Sequence, residues 1–132
     1  MSNRFYESVA RVLEIDEVGF DTRFRDTPGW CSLHGFGILV LMENDWHAPL
    51  TISQLQKMST VGELYAEAFL ACAASCFKVD RASLSLDTSY ESIPQWDSVA
   101  HLRLVMEAEK NFGTSYRLEH IPQMKKLRDF LS

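Results

Sequence analysis

Apolar residues recur along most of the chain with the spacing of an amphipathic α-helix. The segment NRFYESVARVLEI, residues 3–15, places its apolar side chains on one helical face, and AFLACAASCFKV shows a related pattern in the second half. Proline-containing loops rich in turn formers separate these helices from second helices that begin at Ser32 and Ser98. The pattern predicts an all-α protein.

The same pattern occurs twice. A shift of 66 positions superposes Trp30 on Trp96 and Ser32 on Ser98. The match extends over both halves and includes Asp21 with Asp87, Pro28 with Pro94, Glu43 with Glu109, Leu55 with Ile121 and Met58 with Met124. Each copy also has the pattern of four short helices. We therefore expect two related units in tandem, residues 1–66 and 67–132, each near the lower size limit of an independent domain.

The second helices carry apolar residues at equivalent positions in the two copies. The pairs are Leu33 with Val99, Phe36 with Leu102, Leu39 with Val105 and Val40 with Met106. Their i, i+3, i+6, i+7 spacing predicts that this stripe faces the core of each unit.

The junction between the copies has the composition of a helix. STVGELYAEAFLACAASCFKV contains no proline and no cluster of turn-forming residues. We expect one continuous helix from about Thr60 to Val79, shared by two four-helix units and fixing one relative to the other.

Composition indicates a soluble protein. The chain has 132 residues, 46% of them hydrophobic, and a formal net charge of −5. No apolar run is long enough for a membrane span, no leader pattern is present, and neither half has the basic character of a nucleic-acid-binding domain. The odd number of cysteines predicts reduced thiols and a cytoplasmic location.

Histidine and cysteine spacing does not predict a metal site. The four histidines are scattered, which favours surface or capping positions over metal ligands. Cys72 and Cys76 fall on one helical face, a spacing more typical of small core residues than of a metal or redox pair.

Ser98 follows Asp97 at the start of a predicted helix. A serine hydroxyl can cap free N–H groups in the first turn, and an acidic residue there complements the helix dipole. Taken alone, the Asp-Ser pair is typical of an ordinary helix start.

A larger segment changes this interpretation. In the second copy, a first helix is followed by a long loop with LDTSYESIPQWDSV, a second helix ending in EAEKNF and the segment YRLEHIPQMKKLRDFL. This order of segments resembles the acyl carrier protein family and its close relatives, the peptidyl carrier domains. The resemblance covers nearly all of the second copy. It implies that Ser98 carries covalent 4′-phosphopantetheine, and that Asp97 and Val99 complete an Asp-Ser-Val version of the family's Asp-Ser-Leu motif.

The resemblance also implies a function. The chain would hold acyl intermediates as thioesters in fatty-acid, polyketide or related secondary-metabolite biosynthesis, and would be a substrate of enzymes without being one itself. Its partners would be a phosphopantetheinyl transferase and acyl-loading or condensing enzymes such as a ligase, an acyltransferase or a ketosynthase. Glu107 and Glu109 would meet such partners, with Arg103 beside them reducing the acidity of the helix; alternatively, these charges form a solvated face.

The first copy departs from the motif, because Cys31 replaces the acid in Cys31-Ser32-Leu33. Ser32 is a second candidate for modification, or a capping serine in a degenerate unit. Cys31, Ser32 and His34 lack an acidic residue placed to orient a catalytic base, so the sequence does not favour an enzyme. The alternative function for the whole chain is an unmodified carrier-like interaction module that recruits a biosynthetic enzyme.

Overall fold

A computed structural model describes residues 3–90 and 92–131 of the chain and shows an all-α protein, as predicted. The α-helices are α1 (Arg4–Leu13), α2 (Ser32–Asn44), α3 (Ile52–Gln56), α4 (Val61–Phe77) and α5 (Ser98–Phe112). Short 3-10 helices span Phe24–Asp26, Arg81–Ser83, Ile121–Gln123 and Leu127–Phe130. Within the described ranges there is no strand, and none of the helices is long and apolar enough to cross a membrane.

The chain divides into two compact units, Ser2–Ala68 and Phe69–Ser132, referred to below as the first and second unit. The division falls inside α4. Each unit has its own buried apolar core. The fully buried side chains include Phe5, Val9, Leu13, Phe24, Ile38, Met42 and Leu64 in the first unit, and Phe69, Trp96, Leu104, Phe112 and Leu127 in the second.

Two helices pack closely in the first unit, α1 and α2. Asn3 caps α1 through its side-chain oxygen, which accepts a hydrogen bond from the Phe5 amide at 2.8 Å. A Cβ atom at Gly37 of α2 would lie 2.8 Å from Cγ1 of Val12, which is closer than carbon atoms can approach. Gly37 therefore allows the backbone of α2 to approach α1, which explains a glycine inside a helix.

The junction helix α4 is continuous, as predicted, and its ends lie within two residues of the predicted ones. It begins with a capping box: Thr60 Oγ1 accepts from the Glu63 amide, and Glu63 Oε1 accepts from the Thr60 amide at 3.1 Å. The helix ends at Phe77, and Lys78 then adopts a left-handed conformation with φ 58°. Its apolar residues are divided between the cores, Leu64 in the first unit and Phe69, Leu70 and Phe77 in the second.

The second unit differs from the predicted set of four helices after α5. The third and fourth short helices expected in this copy are only the 3-10 helices Ile121–Gln123 and Leu127–Phe130. Pro122 has no N–H for an α-helical bond, and segments this short gain little from helix formation alone. Burial of Leu127 and Phe130 holds the second segment against the core.

The predicted core stripe of the second helices is largely wrong. Leu33, Phe36 and Val40 are exposed in α2, and so are Val99, Leu102 and Met106 in α5. Of the remaining pair, Leu39 and Val105, only Val105 is buried. The buried face of α5 instead consists of Ala100, His101, Leu104, Val105, Ala108 and Phe112. A histidine and two alanines lie on this buried face, while the large apolar residues Val99, Leu102 and Met106 lie on the exposed face. A prediction from hydrophobicity alone therefore chooses the wrong face of the helix as the buried one.

Candidate functional site

Ser98 lies at the first residue of α5 and is exposed. The cap of this helix is made by Asp97, whose Oδ1 accepts a hydrogen bond from the Ala100 amide at 2.9 Å. Capping is therefore the role of Asp97, and the serine is not required for it. The exposed Ser98 hydroxyl lies at a helix start, where backbone N–H groups and the helix dipole favour a bound phosphate group.

The corresponding position in the first unit lacks this cap. Cys31 is the N-cap residue of α2, but its side chain makes no capping hydrogen bond. Ser32 is exposed at the first residue of the helix, in the same place as Ser98 in α5. The two serines are thus alike in local position and differ in the residue before them.

A hydrogen-bonded pair of rings holds the loop before Ser98. Trp96 is fully buried, and its Nε1 donates to Nδ1 of His101 at 3.1 Å. Since an indole nitrogen only donates, Nδ1 is the acceptor and Nε2 carries the proton that His101 donates to the Ile121 carbonyl oxygen at 2.8 Å. The Trp96 ring also stacks on Phe77, with centroids 5.2 Å apart. This chain of contacts ties the loop, α5 and the following 3-10 helix together around the serine.

A cavity of about 700 Å³ opens beside Ser98 in the second unit. Its walls come from three segments, and the lining residues are Ser89, Tyr90, Ser98, His101, Leu102, Ile121, Pro122, Met124 and Lys125. A backbone hydrogen bond connects two of these segments, with the Tyr90 N–H donating to the Lys125 carbonyl oxygen. The cavity is mostly apolar at its walls and has the serine at its edge, so a group attached to Ser98 has an apolar surface within reach.

Exposed apolar side chains form a stripe along each second helix. In α5 the exposed fractions of Val99, Leu102 and Met106 are 64%, 55% and 67%. The equivalent residues Leu33, Phe36 and Val40 form the stripe of α2. Large apolar side chains that share one exposed face are typical of a binding surface.

The predicted partner-binding charges separate into two groups. Arg103 and Glu107 border a shallow depression beside the α5 stripe, with a volume of about 330 Å³. Glu109 instead bonds within the unit: its Oε2 accepts from the Tyr116 amide at 2.9 Å. Two of the three charged residues therefore lie beside the apolar stripe, and the third fixes the turn after α5.

No family model, curated protein or solved structure matches this chain. A functional interpretation therefore rests on the internal repeat, on the residues around Ser98 and on their geometry.

Two of the four histidines lie at the surface or capping positions favoured by the sequence, and two do not. His34 and His101 are buried, whereas His47 and His120 are exposed. His34 Nε2 lies 3.2 Å from a carboxylate oxygen of Glu14. Among residues 3–90 and 92–131, no three histidine, cysteine or acidic side chains are grouped so as to hold a metal ion.

Several residues beside Ser98 are not apparent from the motif. His101 could have been found, because it shares the i, i+3, i+7, i+11 spacing of Leu104, Ala108 and Phe112 on the buried face of α5. Tyr90, Met124 and Lys125 come from segments outside the helices. No periodicity in the sequence brings those segments to the serine.

Proposed function

We propose that the second unit is a carrier domain in which Ser98 is the attachment site of 4′-phosphopantetheine. One observation supports this most strongly: Ser98 is exposed at the start of α5 while Asp97 provides the cap, and an apolar cavity opens beside the serine. A structural capping serine would need neither the exposed hydroxyl nor the cavity.

The residues present fit this group. The Ser98 hydroxyl oxygen would attack the pyrophosphate of coenzyme A, so that the phosphodiester bond to Ser98 forms, the pyrophosphate bond breaks and adenosine 3′,5′-bisphosphate leaves. A phosphopantetheinyl transferase would supply the metal ion and the base that takes the hydroxyl proton. The helix start would then stabilise the charge of the phosphodiester. When bound, the group supplies a terminal thiol that holds an acyl chain as a thioester.

In this proposal the chain is a substrate for other enzymes and not itself an enzyme. The partners are the transferase and acyl-loading or condensing enzymes such as a ligase, an acyltransferase or a ketosynthase. Val99, Arg103 and Glu107 would contact them beside the serine. The pathway is fatty-acid, polyketide or related secondary-metabolite biosynthesis, in the cytoplasm. Ser32 is the second attachment site to be tested.

The proposal is tested by intact-mass measurement after incubation of the full chain with coenzyme A and a promiscuous phosphopantetheinyl transferase. We expect a mass increase of one phosphopantetheine group, which Ser98→Ala removes and Ser32→Ala does not. A wild-type chain that stays unmodified, under conditions that convert an ordinary carrier completely, would contradict the proposal.

A second candidate function is favoured by the two apolar stripes. Leu33, Phe36 and Val40 repeat in the first unit the exposed surface of Val99, Leu102 and Met106, although the Asp-Ser pair is present only in the second. An unmodified module that recruits a biosynthetic enzyme would use these stripes without the serine. Two results together would favour this alternative: the wild-type mass stays unchanged after incubation with the transferase, and the Phe36→Ser and Leu102→Ser variants lose binding to a biosynthetic enzyme that the wild-type chain binds.

A further inference from the structure

The cavity beside Ser98 differs in size and in charge from two shallower depressions of the second unit. Its volume of about 700 Å³ lies well within the range of about 300–1,000 Å³ that is typical of small-molecule sites. The depressions beside the α5 stripe and at the end of α4 have volumes of about 330 and 290 Å³, and each is bordered by charges of both signs. Among the described residues that line the cavity, Lys125 alone is charged, because His101 is neutral in its pair of hydrogen bonds.

The polar atoms of His101 are already used within the unit. Its Nδ1 accepts from Trp96 and its Nε2 donates to the Ile121 carbonyl oxygen. A neutral histidine has one donor and one acceptor in its ring, so both are occupied. His101 therefore forms part of the cavity wall and does not bind the polar end of a ligand.

The backbone of Lys125 is fixed at the cavity from two sides. Its carbonyl oxygen accepts from the Tyr90 amide, and its own amide donates to Oδ2 of Asp129 at 3.0 Å. Neither contact uses the ammonium group. Lys125 therefore brings a positive charge to a wall that other segments make apolar.

The remaining walls are suited to an apolar chain. Leu102 comes from α5, Ile121 and Pro122 come from a 3-10 helix, and Met124 follows that helix directly. The Tyr90 ring closes another side and lies edge-on to His101, with ring centroids 5.6 Å apart. An apolar cavity with a single positive charge is complementary to a ligand that has an apolar tail and one negative end.

We propose that this cavity binds a free fatty acid. The apolar tail lies against Leu102, Ile121 and Met124, and the carboxylate pairs with the ammonium group of Lys125. Charge complementarity selects a carboxylate over a cationic head on the same tail. The ligand is not attached to Ser98, so the proposal goes beyond the carrier function and does not depend on modification of the serine.

The test is isothermal titration calorimetry of the full chain, produced without a phosphopantetheinyl transferase, with hexanoate, octanoate and decanoate. We expect saturable binding of one ligand per chain, with a dissociation constant that falls by up to about fourfold for each added methylene group. Octylammonium has the tail of octanoate and the opposite charge, and should bind about threefold or more weakly. Absence of saturable binding by octanoate and decanoate, or equal binding of octanoate and octylammonium, would overturn the proposal.

Variants locate the carboxylate. Lys125→Met should weaken octanoate binding by about three- to fivefold, the range expected for an exposed ion pair, without weakening octylammonium binding. Lys126→Met removes the same charge from the next residue, which does not line the cavity, and should leave octanoate binding unchanged. Equal effects of the two lysine variants would show that the carboxylate does not bind at Lys125.

Variants of α5 locate the tail. Leu102 is 55% exposed, so Leu102→Ser should preserve the fold while weakening decanoate and octylammonium binding alike. Met106→Ser is the matched control, because Met106 is also exposed on α5 but does not line the cavity. Unchanged decanoate binding in Leu102→Ser, or an equal loss in both variants, would show that the tail does not lie in the cavity.

Discussion

Asp97 and Cys31 occupy the same position before equivalent helices, yet only Asp97 caps its helix through its side chain. The missing cap at Cys31 lowers the stability of the first unit, and in the proposed function it also lowers modification of Ser32. Substituting a good capping residue by a non-capping one typically costs about 0.5–2 kcal/mol. The stability effect can be measured without any transferase, so the two consequences can be separated.

We expect Cys31→Asp to stabilise the first unit by about 1 kcal/mol, because the carboxylate can accept a first-turn amide of α2. Urea denaturation measures this change, with Cys31→Ala as the control that adds no cap. In the carrier interpretation the same variant also increases modification of Ser32 by the transferase. A more stable variant with unchanged Ser32 modification would show that the acid is structural and does not limit this site.

The Trp96–His101 hydrogen bond is a second residue-scale feature with a measurable cost. Trp96→Phe keeps an aromatic ring but leaves Nδ1 of His101 buried without its donor, which costs about 1–3 kcal/mol. His101→Leu removes the acceptor, and the double variant should cost less than the sum of the two single variants. Strict additivity in denaturant unfolding would show that the two rings are not coupled.

At the scale of the elements, the starts of the helices can be predicted from local sequence signals, whereas the buried faces of the helices cannot. The Asp-Ser start of α5 and the Thr60–Glu63 capping box of α4 are both visible in the sequence, and both helices form as predicted. The buried face of α5 was mistaken because Val99 and Met106 are apolar while the buried His101 is polar. The cavity beside Ser98 could not be predicted, because it depends on tertiary contacts of the loop residue Tyr90 and of the 3-10 helix Ile121–Gln123.

Two glycines of α2 provide a matched test of the close approach to α1. A Cβ atom at Gly35 would make only an ordinary contact with Trp30, at 3.6 Å, so Gly35→Ala should stabilise the helix by about 0.5–1 kcal/mol. Gly37→Ala should instead destabilise the first unit, because Val12 is β-branched and cannot turn away easily. Thermal unfolding compares the variants, and Val12→Ala should relieve the Gly37→Ala defect. Equal stabilisation by both glycine substitutions would exclude the close approach.

At the scale of the whole molecule, α4 contributes to the cores of both units. Leu64 is buried in the first unit and Phe77 in the second, on one uninterrupted helix. The continuity of this helix was predicted from the absence of proline and turn-forming residues. The repeat, in contrast, predicted more similar units than the structure shows, because short 3-10 helices replace two helices expected after α5.

Proline at Glu67 tests whether the stability of the units depends on α4. The substitution removes one helical hydrogen bond and introduces a clash with the preceding turn, at a cost of about 3 kcal/mol or more. We expect thermal unfolding of Glu67→Pro to show both units destabilised, while Glu67→Ala, which keeps the helix, unfolds near the wild-type temperature. Unchanged unfolding of both units would show that neither depends on the continuous helix.

The central claim, that Ser98 is a carrier attachment site, is tested most directly by comparing the two serines within one molecule. Both are exposed at the first residue of a helix, but only Ser98 has an acid before it. A time course with coenzyme A and a promiscuous transferase, followed by peptide mass spectrometry, measures the two sites under identical conditions. The account predicts that Ser98 is modified first and completely. Absence of phosphopantetheine from Ser98, or equal modification of Ser32, would contradict it.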